Sequence, residues 1–198
     1  MPYPPGHRTQ TRLRILRSAQ TLFNRRGFEA VSIAEVMKHA GLTHGGFYRY
    51  FRAKSELYAE ALTLVLSEPP SRRWEGVDID FASTDAALHV VKAYLSRQHY
   101  EDIDGSCPMV ALPSDVSRSD RSVKRAFETV FLAMAQIFER SLTRNGRAER
   151  KRAIAIASLC VGGMVVARGV GDRKLADEIR AAATSFAFQL GAWQPRAG

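Results

Sequence analysis

The stretch LTHGGFYRYF, residues 42–51, combines hydroxyl, imidazole and phenol groups with two glycines. Phe47 and Phe51 are four residues apart, so in a helix they share one face, which we expect to be buried. The opposite side then presents groups that form hydrogen bonds or allow close approach: Thr43, His44, Gly46, Tyr48 and Tyr50. The spacing therefore predicts a short helix with a polar, aromatic recognition surface.

No pattern in the chain predicts catalysis. The sequence contains no HExxH, phosphate-loop, G-x-S-x-G or paired-carboxylate motif, and Ser114-Asp115 has no identifiable histidine partner. His44 has no second metal ligand at matching helical spacing. We therefore expect a protein that is not an enzyme and that binds neither a metal nor a cofactor.

The two cysteines, Cys107 and Cys160, are too few and too far apart for a disulfide framework, which fits a reducing cytosol. Cys160 lies in an apolar stretch and is expected in the core. Cys107 precedes Pro108, and a helix that begins there would favour the thiolate. Cys107 is therefore interpreted either as a redox sensor or as a plain turn cysteine.

Positive charge is concentrated at the start of the chain. Residues 1–54 carry ten Lys and Arg against two acidic residues, whereas residues 55–198 carry nineteen basic and eighteen acidic residues. Nearly all of the net charge of +9 therefore lies in the first quarter of the sequence. Such asymmetry predicts a small polyanion-binding head, residues 1–54, on a near-neutral body, residues 55–198.

Helix signals in the head predict the elements that would position residues 42–51. Residues 9–26 are amphipathic with a basic face, and Gly27 supplies a stop signal. Ser32 and Glu35 fit a capping box that starts a second helix, which Gly41 ends. A third helix runs from Thr43 through residue 51. Helix, glycine-bearing turn and helix form the pattern that a DNA-reading helix-turn-helix requires.

The body also shows only helical periodicity. We expect further helices at about 55–66, 84–100, 108–116, 119–145, 149–170 and 173–193, giving an all-α protein of about nine helices. Trp74, in a loop at 69–82, is either a lid or a packed anchor. The apolar run 153–167 is too short for a membrane span, and the N-terminus has no secretory signal. We expect a cytoplasmic protein.

The run from Arg12 to Lys54 resembles the DNA-binding region of the TetR family of bacterial transcriptional repressors. Its landmarks stand in register over about a quarter of the chain: Leu22-Phe23 before Gly27-Phe28, Ser32 at a helix start, Ala40-Gly41-Leu42 as the turn, Tyr48 with Phe51, and Lys54.

This resemblance implies roles for individual residues in contact with double-stranded DNA. Thr43, His44 and Gly46 would face the major groove. Tyr48 would hold a phosphate, as would Ser32 and Lys54. Tyr50 would lie at the boundary between the residues that contact the DNA backbone and those that pack in the protein. Arg12 would reach a phosphate or the minor groove, or remain a solvated arginine.

The resemblance further implies that residues 55–198 form a helical regulatory domain for ligand binding and dimerisation. The apolar helices at 149–170 and 173–193 would form a homodimer interface or an intrachain core. Two heads related by a two-fold axis would read a palindromic operator. Large, adaptable side chains are either ordinary core or the lining of a site for a small hydrophobic effector: Tyr94, His99, Met109, Phe127, Phe131 and Met134.

Two other classes of protein fit parts of the sequence. A helical enzyme that binds small molecules without a recognisable catalytic motif would leave the basic head unexplained. A membrane-surface module would use Arg12, Arg14 and Arg17 on anionic lipid, but the compact helix-turn-helix that follows disfavours it. The sequence therefore favours a homodimeric repressor released from its operator by a small hydrophobic or electrophilic effector.

Overall fold

The computed structural model describes residues 6–69, 71, 74–142 and 149–193. Within these residues the chain is all-helical, as predicted from the sequence. Two 3₁₀ helices, His44–Arg49 and Leu64–Leu66, accompany ten α-helices. The α-helices are α1 His7–Arg26, α2 Ile33–His39, α3 Lys54–Thr63, α4 Ala86–Tyr94, α5 Arg97–Glu101, α6 Pro108–Ala111, α7 Pro113–Arg118, α8 Arg121–Leu142, α9 Arg150–Gly169 and α10 Arg173–Gly191.

The chain divides into two compact units that differ from the predicted head and body. The first unit contains residues 6–68 and 103–130, and the second contains 69–102 and 131–193. A segment from the middle of the sequence, carrying α6, α7 and the first part of α8, thus belongs with the N-terminal helices. The division of labour between residues 1–54 and 55–198 stays a prediction.

Helix α1 is the spine of the first unit. Ile15, Ala19 and Phe23 lie on its buried face, at helical spacing. The helix ends at Gly27, whose N–H donates to the Phe23 carbonyl at 2.8 Å and whose φ of 78° suits glycine. The predicted stop is confirmed.

Aromatic packing joins the end of α1 to α3. The Tyr58 ring of α3 stacks on Phe28 at 4.4 Å between centroids and meets Phe23 edge-on at 5.1 Å. Such pairs add to the free energy gained from burying apolar area, and Tyr58 and Phe23 are almost fully buried. The angle between α1 and α3 is therefore fixed at this point.

The segment that begins at residue 103 docks on the same end of α1. Asn24 Nδ2 donates to the carbonyls of Asp104 and Ser106, at 3.1 and 2.9 Å. The Phe28 N–H donates to Asp115 Oδ2 at 2.9 Å. A Cβ added at Gly27 would lie 2.8 Å from that oxygen. Both this close contact and the positive φ therefore favour glycine at position 27.

Three predicted helices are shorter or more divided than expected. The helix predicted from Thr43 through residue 51 is a six-residue 3₁₀ helix, His44–Arg49. Glycine has low helix propensity, so Gly45 and Gly46 weaken any longer α-helix here. The helix predicted at 84–100 is two helices, because the Ser96 side chain accepts from the His99 N–H and starts α5. Pro113 likewise begins α7 within the helix predicted at 108–116.

The second unit is built around α9 and α10. A Cβ added at Gly163 would lie 2.7 Å from Ala183 Cβ, so glycine permits the close approach of these two helices. Arg180 donates to the Leu95 carbonyl at 2.9 Å, and Arg168 donates to carbonyls at the end of α5. Guanidinium groups thus satisfy the carbonyls that α4 and α5 leave unpaired.

Helix α9 is long and apolar enough to cross a membrane by length and composition alone, although 39% of its apolar window is buried. Core helices of soluble proteins pass the same test, so this observation does not overturn the interpretation as a soluble helix. Val165 and Val166 are exposed on it, and Leu175, Phe186 and Leu190 are exposed on α10. Apolar surface is therefore left uncovered within one chain.

Replacement of Asp115 by alanine should destabilise the first unit. The partly buried Phe28 N–H would lose its acceptor, which costs about 1 kcal/mol of unfolding free energy. Asp115→Asn retains an oxygen acceptor and serves as the matched control. Urea unfolding at equal protein concentration measures both variants. Equal losses of stability in the two would show that the hydrogen bond is not responsible.

Candidate nucleic-acid interface

The 3₁₀ helix His44–Arg49, called the 44–49 helix below, has one firmly buried face. Phe47 and Phe51 are 0% and 1% exposed, and their rings stack at 5.7 Å between centroids. Met37 of α2 lies fully buried beneath them. The two phenylalanines therefore belong to the core, as the spacing predicted, and they orient the opposite side of the helix towards solvent.

That opposite side carries most of the residues predicted to contact a partner. Thr43 and His44 are exposed, and Tyr48 is 66% exposed with its ring edge-on to Phe47. Gly46 and Tyr50 are half-buried beside them. The structure thus brings five predicted residues together on one surface that is rich in hydrogen-bonding groups.

Neither glycine of the 44–49 helix is required by the fold itself. A Cβ added at Gly45 would have no atom within 4 Å, and one added at Gly46 would lie 3.6 Å from Met37 Cε and 3.9 Å from Thr43 Oγ1. Those distances are ordinary van der Waals contacts. Neither glycine has a positive φ. The intramolecular packing therefore leaves room for alanine at either position.

Ser32 is engaged in the predicted capping box. Its hydroxyl accepts from the Glu35 N–H at 3.2 Å and donates to Glu35 Oε2 at 2.8 Å, while its own N–H donates to the same oxygen. The bond from the Ser32 backbone, followed by that from Arg26, lowers the pKa of Glu35 to about 2. The Ser32 hydroxyl could donate a hydrogen bond to a phosphate only by giving up its bond to the Glu35 carboxylate.

Lys54 is also engaged within the first unit. Its Nζ donates to the Phe28 carbonyl and lies 4.1 Å from the centroid of the Phe28 ring. Burial lowers the pKa of the Lys54 ammonium from its ordinary value. Its predicted phosphate contact stays a prediction, and its contacts in this structure join α3 to the end of α1.

Several arginines of the head are neutralised by acidic residues distant in sequence. Arg12 pairs with Glu60, 48 residues away, and lies over the Phe51 ring at 4.5 Å. The other pairs join residues of the first unit: Arg17 with Glu68, Arg25 with Asp104, and Arg26 with Glu35. These cations stabilise the unit instead of contributing free positive charge to its surface.

Five further cations of the head have no acidic partner among the described residues: Arg8, Arg14, Lys38, Arg49 and Arg52. All five are exposed. Sequence reasoning counted these charges but could not separate them from the paired ones, because the partners lie up to 79 residues away. They are the part of the positive charge that is available to a polyanion.

An open groove of about 890 Å³ borders the 44–49 helix. Arg8 and Thr11 of α1 form one side of it, and the other side includes Thr43, Gly46 and Arg49. The groove therefore places two of the unpaired arginines beside two residues predicted to contact bases.

Comparisons with known proteins identify this helix-turn-helix. The family model described as "Bacterial regulatory proteins, tetR family" matches residues 15–61. The HTH-type transcriptional regulator YxaF of Bacillus subtilis is 26% identical over 164 residues, 80% of this chain and 85% of the relative. Residues 15–61 therefore carry the DNA-binding region of the TetR family of bacterial transcriptional regulators.

Other matches agree with TetR-family membership over different lengths. The regulator YdgC of Bacillus subtilis is 39% identical over 54 residues, 27% of this chain and only 28% of that relative. Among solved structures, the reduced form of E. coli NemR superposes with a TM-score of 0.71 at 20% identity, covering 91% of this chain and 97% of that one. A TetR-family regulator from Cytophaga hutchinsonii gives 0.69 at 15% identity, covering 94% and 98%. These structures show that the TetR-family fold extends over more than nine-tenths of the chain.

The residues predicted to bind an effector are mostly packed side chains. In the second unit, His99 Nδ1 is 2.6 Å from the Tyr94 carbonyl, so Nδ1 donates, and its ring lies 4.7 Å from the Trp74 ring. Trp74 is 6% exposed and is thus a packed anchor. Met134 is buried and Phe131 is half-buried.

The remaining candidates lie in the first unit. Met109 is buried, and Phe127 packs against the core of that unit. Cys107 precedes the four-residue helix α6 and is 4% exposed, so a reagent reaches its thiol only if the segment opens. Cys160 is fully buried as predicted, and burial raises its pKa to about 12.

Gly46→Leu should weaken DNA binding without weakening the fold. Replacing a helical glycine removes a cost of about 0.5–1 kcal/mol, yet the added side chain would stand between the backbone and a base edge. We expect affinity for a duplex selected by the wild-type protein to fall roughly tenfold or more, about 1.4 kcal/mol. Gel shift and thermal melting are the measurements, with Gly45→Leu as the matched control. Unchanged affinity of Gly46→Leu would exclude close approach at this position.

Proposed function

We propose that the protein is a homodimeric transcriptional repressor that leaves a palindromic operator when a small hydrophobic or electrophilic effector binds. The proposal of DNA recognition rests on the exposed surface of the 44–49 helix. Thr43, His44 and Tyr48 are exposed on it, while the unpaired Arg8 and Arg49 border it. Hydrogen-bonding side chains read base edges, and unpaired cations supply attraction to phosphates.

Selection from a random-sequence duplex library tests this proposal. We expect the full chain to enrich a palindrome whose half-site centres lie about 10 base pairs, or 34–36 Å, apart. Binding to the enriched duplex should weaken steeply as salt concentration rises, because binding releases condensed counterions. A scrambled duplex of equal composition is the control. Failure to enrich any sequence, with equal binding to both duplexes, would contradict a sequence-specific regulator.

Dimerisation is proposed from the apolar surface that a single chain leaves uncovered on α9 and α10. Phe186 is 58% exposed and Leu175 is 43% exposed, and both lie on α10, one of the two apolar helices for which the sequence predicts a homodimer interface or an intrachain core. Exposed apolar side chains along two helices are typical of a surface that a second copy covers. A soluble homodimer explains this surface, and it also explains why α9 resembles a membrane span in composition.

The effector is proposed to bind within the second unit, at the side chains that include Tyr94, His99, Phe131 and Met134. Aromatic rings and methionine accommodate apolar molecules of different shapes. Their close packing implies that an effector must displace side chains such as Trp74, and binding would therefore favour a different conformation of the unit. The electrophilic alternative uses Cys107, whose thiol is buried until its segment opens.

Phe186→Glu should convert the dimer into a monomer. A charge placed in an apolar interface loses the buried aromatic contact, which typically contributes roughly 2 kcal/mol or more, and it also adds a desolvation cost. Sedimentation equilibrium measures the molecular mass. Phe81→Glu changes a residue that is 48% exposed in the loop before α4 and serves as the control, with the dimer retained. A wild-type monomer, or a dimer unaffected by Phe186→Glu, would refute this interface.

A further inference from the structure

The groove beside the 44–49 helix contains two of the five unpaired cations of the head. Arg8 and Arg49 both line it, and none of the described residues that line it is acidic. Arg12, only four residues beyond Arg8, pairs with Glu60, so acidic partners occur nearby but not in the groove. Two guanidinium groups that share a groove without a counter-charge favour the binding of an anion.

A backbone contact holds the two sides of this groove together. The Arg8 guanidinium donates to the Arg49 carbonyl at 3.1 Å, which joins the start of α1 to the end of the 44–49 helix. A guanidinium has five N–H donors, so this bond leaves most of the donors of Arg8 for another acceptor. The side chain of Arg49 is exposed and is not used in the bond.

We propose that Arg8 and Arg49 together hold one phosphate of the DNA backbone in this groove. This inference rests on the proposed DNA-binding function and adds a contact from α1, outside the helix-turn-helix. Planar guanidinium groups match phosphate geometry through paired hydrogen bonds. The hydroxyls of Thr11 and Tyr50, which also line the groove, are additional donors. Because Thr43 and Gly46 border the same groove, the phosphate contact sets the register in which the 44–49 helix meets the bases.

Arg8→Gln tests the inference through the salt dependence of binding. The probe is the duplex that the wild-type chain selects from a random library. Each lost phosphate contact should reduce the slope of log affinity against log salt concentration by about 0.9, or about 1.8 for a dimer with two such sites. Arg49→Gln should give the same reduction, because the carbonyl that accepts from Arg8 belongs to the backbone and is retained.

Arg14→Gln is the matched control for both variants. Arg14 is exposed on α1, has no acidic partner among the described residues and does not line the groove, so the same loss of charge occurs away from the proposed phosphate. Its slope should stay near that of the wild type. Thermal melting of all three variants verifies that they fold.

Neutral methylphosphonates placed at single positions of the selected duplex locate the contact. Wild-type affinity should fall at one phosphate in each half-site, and Arg8→Gln should be insensitive to neutralisation at that phosphate. The inference is overturned if Arg8→Gln has the slope of Arg14→Gln, or if it changes base preference instead, which would indicate base reading. If the wild type selects no duplex, the proposed function itself fails. If selection succeeds and Gly46→Leu weakens binding but Arg8→Gln does not, only this inference fails.

Discussion

A head that binds a polyanion must keep positive charge unpaired on one surface and still fold. The first unit meets this constraint by pairing some of its arginines with acidic residues and leaving others free. Arg12 and Arg25 pair with Glu60 and Asp104, so their charges are locally neutralised. Arg8 and Arg49 line a groove in which the structure describes no acidic residue. The distribution of partners, more than the net charge, defines the surface available to DNA.

Helix α1 connects that surface to the rest of the first unit. Its C-terminal end packs on Tyr58 through Phe23, and the neighbouring Phe28 N–H donates to Asp115. Its N-terminal end contacts the 44–49 helix through Arg8. A displacement of the segment that carries Asp115 would therefore reach the proposed DNA surface through one rigid element.

Local signals predicted the fold well, because helix caps depend on residues close in sequence. Gly27 and the Ser32–Glu35 capping box gave correct ends for α1 and α2. The 3₁₀ form of the 44–49 helix was not predicted. The two glycines disfavour an α-helix there, whereas the four-residue spacing of Phe47 and Phe51 indicates one. The contacts that engage Lys54 and Arg12 join residues 26 and 48 positions apart, and periodicity carries no information about such pairs. Five predicted contact residues share one exposed surface, but their contact with DNA stays a prediction.

Hydrogen–deuterium exchange of the full chain, with and without its selected duplex, tests most directly whether the 44–49 helix is the DNA-contacting surface. Exchange in peptides that cover residues 42–50 and the start of α1 should slow when the duplex is bound at saturation. Peptides from α10 should exchange at the same rate in both states, because that helix is not part of the proposed interface. Saturated binding without any protection of residues 42–50 would contradict the account.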